Sequence, residues 1–166
     1  MLKINAGSGQ RKFAPPWINV DCQPKWEPDH VCNVEAMPFA DHSAELIVSH
    51  HCIEHMGCGE ADGFIKEARR LLCPRGSLLI FVPNIRELAR AFLMGKIDEY
   101  IFNANMYGAY MGDEADRHRW GYSLDGMVDY LIKTADWSEI RPFDWRQIDG
   151  ADIAKDWWIL GVEAIK

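Results

Sequence analysis

Apolar positions along the chain fall into short runs punctuated by glycine and proline, with one stretch of clear helical period. Leu2 to Ala6 reads as a buried strand, Ile18 to Cys22 as a second and His30 to Val34 as a short third. Leu46-Ile47-Val48 centres a fourth, over Glu45 to His50. Apolar residues at 61, 64, 65, 68, 71 and 72 recur at helical spacing. They predict a helix over Ala61 to Leu72, stopped by Pro74-Arg75-Gly76. Ser77 to Val82 is a near-continuous apolar run, as in a strand covered on both faces. Ile85 to Met94 predicts a helix ended by Gly95, and Ser123 can cap another that runs through Thr134. Trp137 to Arg146 and Trp157 to Ile165 read as two final strands around the Asp149-Gly150 turn region. Strands alternating with helices mean an α/β fold. No repeat, low-complexity tract or linker divides the chain, so one domain over residues 1–166 is expected.

The first two strands carry the most specific chemistry. Ile4-Asn5-Ala6-Gly7-Ser8-Gly9 is a strand running into a glycine loop, and Trp17-Ile18-Asn19-Val20-Asp21 is a strand ending in an acid. Glycines let the backbone turn sharply and approach a ligand closely. An acid at the tip of the next strand can accept hydrogen bonds from both hydroxyls of a ribose. The pair points to a nucleoside-containing cofactor at the carboxyl ends of parallel strands. A dinucleotide site wants G-x-G-x-x-G, but Lys12 stands at the third glycine position. Only Gln10 to Pro16 separate the loop from the second strand, and Pro15-Pro16 opposes a helix there. No G-x-x-x-x-G-K-[ST] occurs, which excludes a P-loop. A cofactor with ribose but no phosphate fits better, and S-adenosylmethionine is the obvious candidate. Taken alone, Gly7 and Gly9 are equally compatible with a simple turn.

Further segments follow in order: Asn33-Val34-Glu35-Ala36-Met37-Pro38-Phe39, His50-His51-Cys52-Ile53-Glu54-His55, Arg70-Leu71-Leu72-Cys73-Pro74-Arg75-Gly76, Val82-Pro83-Asn84 and His118-Arg119-Trp120-Gly121-Tyr122-Ser123. With the two segments above, they resemble L-N-L-G-C-G, W-I-N-V-D, D-L-x-x-L-P-F, S-H-x-L-E-H, R-V-L-K-P-G-G, V-P-D and H-x-W-G-Y-[ST]. Those are patterns of the class I S-adenosylmethionine-dependent methyltransferases, in particular the small methyltransferase type 11 group. Asn33 departs from an acid, Ser8 from a cysteine and Arg75 from the first of two glycines. The resemblance implies a Rossmann-like, doubly wound sheet, mostly parallel with an antiparallel C-terminal strand. It also implies methyl transfer from S-adenosylmethionine. The cofactor-binding set it implies is Asn5, Ala6, Gly7, Ser8, Gly9, Asp21, Cys22, Asn33, Val34, Glu35, Ser49 and His50. Where the family pattern has an acid that accepts from the adenine amino group, the Asn33 carbonyl can do the same. Its amide can also donate to a ring nitrogen, with the backbone of Val34 and Glu35 assisting.

Composition narrows the partners. A net charge of −7 argues against a phosphate backbone, which is bound through Lys and Arg. No apolar run approaches the roughly 20 residues that span a bilayer. The first strand begins almost at Met1, so no signal peptide is expected. The five cysteines show no C-x-x-C and read as reduced thiols in a cytoplasmic protein.

Almost nothing precedes Leu2 that could cover a cofactor, so a lid must come from elsewhere. Residues 95–122 are the best candidate, being rich in aromatics that include Tyr100, Phe102, Tyr107, Tyr110 and Trp120. Tyr110, His118 and Trp120 are assigned to the substrate side; a partner subunit, as in a homodimer, is another way to close the site. His51 and His55, four apart, could share a helix face and, with Cys58, suit a transition metal. H-E-x-x-H and paired C-x-x-C spacings are both absent, so no metal is expected. Displacement at a sulfonium gains chiefly from alignment and water exclusion. A base is needed only for a protonated acceptor, and His51, His55 and His118 are the catalytic candidates. No N-P-P-Y motif is present, and the acceptor stays open among small molecules, sugars and lipids. Two rival readings remain: a non-catalytic adenosyl-binding module, and a metal-binding protein built on His51, His55 and Cys58.

Overall fold

The computed structural model describes residues 1–109, 113–144, 147–148 and 157–166. Its strands are β1 (Leu2–Ala6), β2 (Trp17–Asp21), β3 (His30–Val31), β4 (Ala44–His50), β5 (Leu72–Pro83), β6 (Glu139–Pro142) and β7 (Ile159–Ile165). The helices are α1 (Cys58–Leu71), α2 (Ile85–Leu93), α3 (Glu99–Tyr107) and α4 (Leu124–Thr134). All seven strands join one sheet in the order β3-β2-β1-β4-β5-β7-β6. The first five are parallel, and β7 pairs antiparallel with both β5 and β6. The carboxyl ends of β1, β2 and β4 therefore meet along one edge of the domain, as the sequence predicts.

Alternation along the central strands buries both faces. Ile4, Ile47 and Ile80 pack with Phe64, Ile65 and Leu71 of α1 and with Met127 and Leu131 of α4. Their neighbours Val48, Leu79 and Phe81 point the other way, where Phe13, Trp17 and Phe143 cover them. Side chains such as Phe64 and Ile65, fully out of water, contribute about 1.5–3 kcal/mol each. The Ser123 hydroxyl accepts from Gly126 N at 3.2 Å, so the expected cap of α4 is present.

Two local expectations change. The proline turn at 74–76 does not separate a helix from a strand, because α1 passes directly into β5 at Leu72. Leu72 already pairs with Ala44, and Ser77 with Leu46, so five residues of β5 advance against two of β4. The excess is taken up by a bulge in which Arg75 is left-handed (φ +67°) and donates its N–H to Lys166 O. The predicted strand over 137–146 shrinks to β6, while the Asp149-Gly150 turn lies outside the described residues. The stretch after Gly95, read as a long connection, contains α3.

Candidate active site

Between β1 and β2 the described chain forms no helix, only a loop over residues 7–16. Its shape is fixed from below by the two asparagines of the strand motifs. Asn5 donates to Asn19 Oδ1 (3.0 Å) and to Arg11 O (2.8 Å). Asn19 exchanges two bonds with the Phe13 backbone, and its N–H and amide both donate to Asp29. Those donors hold the Asp29 carboxyl below its ordinary range, the Asn19 backbone N–H contributing most. Above this staple, Gly7 and Ser8 both donate to Val20 O. Gly7 (φ +70°) must lack a side chain, because a Cβ there would collide with Cys52 Sγ. Gly9 (φ +49°) faces open space.

Asp21 is held by two backbone donors, Gly9 N on Oδ2 and Gln23 N on Oδ1, each at 2.8 Å. Each carboxylate oxygen keeps further lone-pair capacity for a ligand. Ser8 is buried on the wall of the same cavity, and its hydroxyl has no protein partner. A ribose acceptor, an unspent hydroxyl and a glycine loop open to the cavity fit an adenosyl cofactor. Asn33, Val34, Glu35, Cys22 and His50 also line this cavity of about 740 Å³, as do Arg11 and Trp26. Burial first, then His51 and Arg11, push the His50 pKa down to about 2, so its ring is neutral.

Three of the expected cofactor residues take other places. Asn5 is the staple just described, Ala6 is a core residue, and Ser49 is fully buried within β4. None of the three lines the cavity. They are the inward-facing residues of their strands, and their role is to carry the loops that do line it.

His51, His55 and His118 also line this cavity, with Asn105 of α3. His51 is left-handed (φ +50°), a conformation that costs a non-glycine residue about 1–3 kcal/mol and often marks a functional position. Its Nδ1–H donates to Glu54 Oε1 at 2.8 Å. Glu54 is fully buried, and its main-chain oxygen accepts from Arg119 N (2.7 Å) and Trp120 N (3.2 Å). Burial opposes its ionisation, but the His51 bond and the nearby His55 and His118 outweigh this and hold its carboxyl below the usual range. His55 and His118 stack edge to face, 4.8 Å between ring centroids. Burial pushes the His118 imidazole down, against the pull of Glu54.

Two further expectations shift here. His118 and Trp120 do not share a wall: Trp120 lines a separate cavity with Tyr122 and Tyr130. Successive N–H groups of Arg119 and Trp120 converge on one carbonyl, which turns the chain and breaks the alternation that would align the two side chains. Tyr110 lies outside the described residues. The metal-donor set also changes. Among the described residues, the donors that converge are Glu54, His55 and His118, one atom from each within 4.8 Å of the others. Cys58 instead begins α1, exposed. Glu54 was readable as the acid inside H-x-x-E-H; Asn105 gave no signal.

Residues 11–80 match the family described as a methyltransferase domain. A methyltransferase of Thermotoga maritima, described as S-adenosylmethionine-dependent and a possible histamine N-methyltransferase, superposes with a TM-score of 0.62 at 16% identity, over 99% of this chain and 82% of that one. The 1,6-didemethyltoxoflavin-N1-methyltransferase of Burkholderia thailandensis, solved with that compound and S-adenosylhomocysteine, gives 0.60 at 13% identity, over 99% and 70%. A Haloferax volcanii methyltransferase, solved in complex with the Trm112 activator, gives 0.61 at 14%, over 99% and 81%. No curated protein matches. The fold is the Rossmann-like one these methyltransferases share. In fold and in the matched segment the chain is similar to class I S-adenosylmethionine-dependent methyltransferases. No helix among the described residues is long and apolar enough to cross a membrane.

Proposed function

We propose that the chain methylates a small-molecule acceptor, held between the strand tips and residues 95–122, which act as a substrate-side lid. The supporting observation is the make-up of one cavity. Asp21 and the glycine loop line it together with His118, Asn105 and the histidines after β4. Its volume, about 740 Å³, suits a small-molecule site. The net charge of −7 disfavours a nucleic acid in the same place.

In this reading Asp21 takes the ribose hydroxyls, and Asn33 reads the adenine with the backbone of Val34 and Glu35. Gly7, Ser8 and Gly9 receive the amino-acid end, while Cys22 and His50 complete the walls. S-adenosylmethionine supplies an electrophilic methyl on a sulfonium. The chain's task is alignment and exclusion of water. His51, His55 and His118 surround the acceptor's place, where an imidazole can meet a hydroxyl or ammonium proton. Free thiols at all five cysteines suit a reducing compartment such as the cytoplasm.

The test is release of S-adenosylhomocysteine with a panel of small hydroxyl and amine acceptors, run beside RNA and protein substrates. Turnover with at least one small acceptor is expected. Turnover confined to the macromolecules, or none with any acceptor while the cofactor still binds, would overturn the reading.

A further inference from the structure

We propose that Glu54, His55 and His118 bind a divalent transition cation of the zinc, cobalt or manganese class, which receives a hydroxyl oxygen of the acceptor. The acceptor half of this proposal rests on the function proposed above; the cation site itself does not. Its donors come from two distant parts of the chain, yet one atom from each lies within 4.8 Å of the others.

The hydrogen bonds around these donors fix their protonation. His55 Nδ1 faces Arg117 O at 3.2 Å, and His118 Nδ1 faces Asn105 O at 2.9 Å. A carbonyl can only accept, so each ring carries its proton on Nδ1. The Nε2 lone pairs are left for a ligand. Metal-binding histidines are held in this way, by a carbonyl or carboxylate behind the ring.

Glu54 supplies the independent observation. It is 1% exposed, Oε1 is taken by His51, and Oε2 is buried with no partner. An orphaned carboxylate oxygen in a dry site is costly. A cation between Oε2 and the two imidazoles would satisfy it. His51 then stands behind the carboxylate, and its left-handed backbone is the conformation that brings its ring there.

Two nitrogens and one carboxylate oxygen suit zinc and its neighbours. Three protein ligands leave coordination positions open, as at catalytic sites. His55 and His118 line the cavity, so those positions are reachable from the acceptor's side. A hydroxyl drawn to the cation becomes more acidic. As it loses its proton, the O–CH₃ bond forms and the S–CH₃ bond breaks. The sulfonium becomes a neutral thioether, and the positive charge it loses leaves as the proton.

The decisive experiment uses Co²⁺ as the probe on untagged, full-length protein stripped with a chelator. Visible absorption and calorimetry follow the titration. One equivalent per chain is expected, with ligand-field bands and no thiolate-to-cobalt charge-transfer band. Removing a residue behind a metal ligand typically weakens binding about 10–100-fold. His51→Ala should fall in that range, and His55→Ala, His118→Ala and Glu54→Gln should lose more. Cys58→Ser should bind as wild type. Each variant is first checked for S-adenosylhomocysteine binding; if Glu54→Gln fails to fold, the two histidine variants decide. No Co²⁺ uptake by wild type, uptake that survives both histidine changes, or a thiolate band would overturn the proposal. Loss of S-adenosylhomocysteine binding by wild type would instead strike the methyltransferase reading, so the two failures are distinguishable.

Discussion

The strand-tip wall of the cavity hangs on bonds internal to the sheet, whereas residues 95–119 are held by apolar packing of α3 on α2 and by hydrogen bonds with Glu54, His55 and Trp158. Gly7, Ser8 and Gly9 are tied to Val20 and Asp21, with Asn5 and Asn19 locked beneath them. On the other side, α3 has no fully buried residue and meets the body through Ile101, Phe102 and Met106 against α2. Beyond it, Asp113 pairs with Lys25 at the surface, and His118 N bonds only as far as Tyr107 O. The difference separates two jobs. In the function proposed above, a cofactor of fixed shape would be met by a rigid floor, and a variable acceptor by an element with fewer buried contacts.

The sharpest way to break that contrast is to cut the floor. Asn19→Ala leaves buried groups of Asn5 and Phe13 unpaired, each costing about 1–3 kcal/mol. A loss of roughly 3–5 kcal/mol is expected in denaturant unfolding. Next in size, Asp21→Ala should weaken S-adenosylhomocysteine binding at least about tenfold by calorimetry, since bonds to a charged acceptor are worth about 1.5–3 kcal/mol each. Glu27→Ala, exposed nearby, should leave affinity unchanged.

His118→Ala should separate the two walls. Turnover should drop about a hundredfold or more, since a lost acid–base contribution alone is worth about 10²–10⁴. Cofactor affinity should stay within roughly threefold, because sites sharing no partner are nearly independent. A matching fall in affinity would mean that the walls are one unit. The smallest effect belongs to Lys25→Ala. An exposed ion pair contributes about 0.2–1 kcal/mol, so the thermal midpoint should barely move, and less still at high salt.

What could be read beforehand follows the same division. The floor is local in sequence: a strand, two glycines and an acid tip lie within residues 4–21, and period-2 burial locates each strand. The place of Asn5 beneath the loop was not legible because it depends on register, with Asn5 opposite Asn19, which no linear pattern states. α3 was missed because it lacks an apolar stripe; its one legible mark was Asp98, whose carboxylate caps Ile101 N at 2.8 Å. The meeting of Glu54 with His118 is set by main-chain bonds across a long stretch of sequence, and only coordinates reveal it. At β5 the proline turn was recognised but its meaning differed, because a bulge and a loop use the same residues.

The loop over residues 7–16 also bears on how the molecule assembles. Parallel strands usually need a crossover of a dozen or more residues, yet β1 and β2 are joined by this short link alone. The entropy of closing a loop rises with its length, by about 0.6 kcal/mol per doubling. The β5–β7 ladder, by contrast, must bring Ser77 to Ile165. Pairing of β1 with β2 therefore carries the lower entropic barrier, and the cofactor floor is favoured as an early folding unit. In pulse-labelled hydrogen exchange, amides in the β1–β2 ladder should gain protection before those that pair β5 with β7. The cavity-facing end of the protein would then take shape while the C-terminal strand is still unbound.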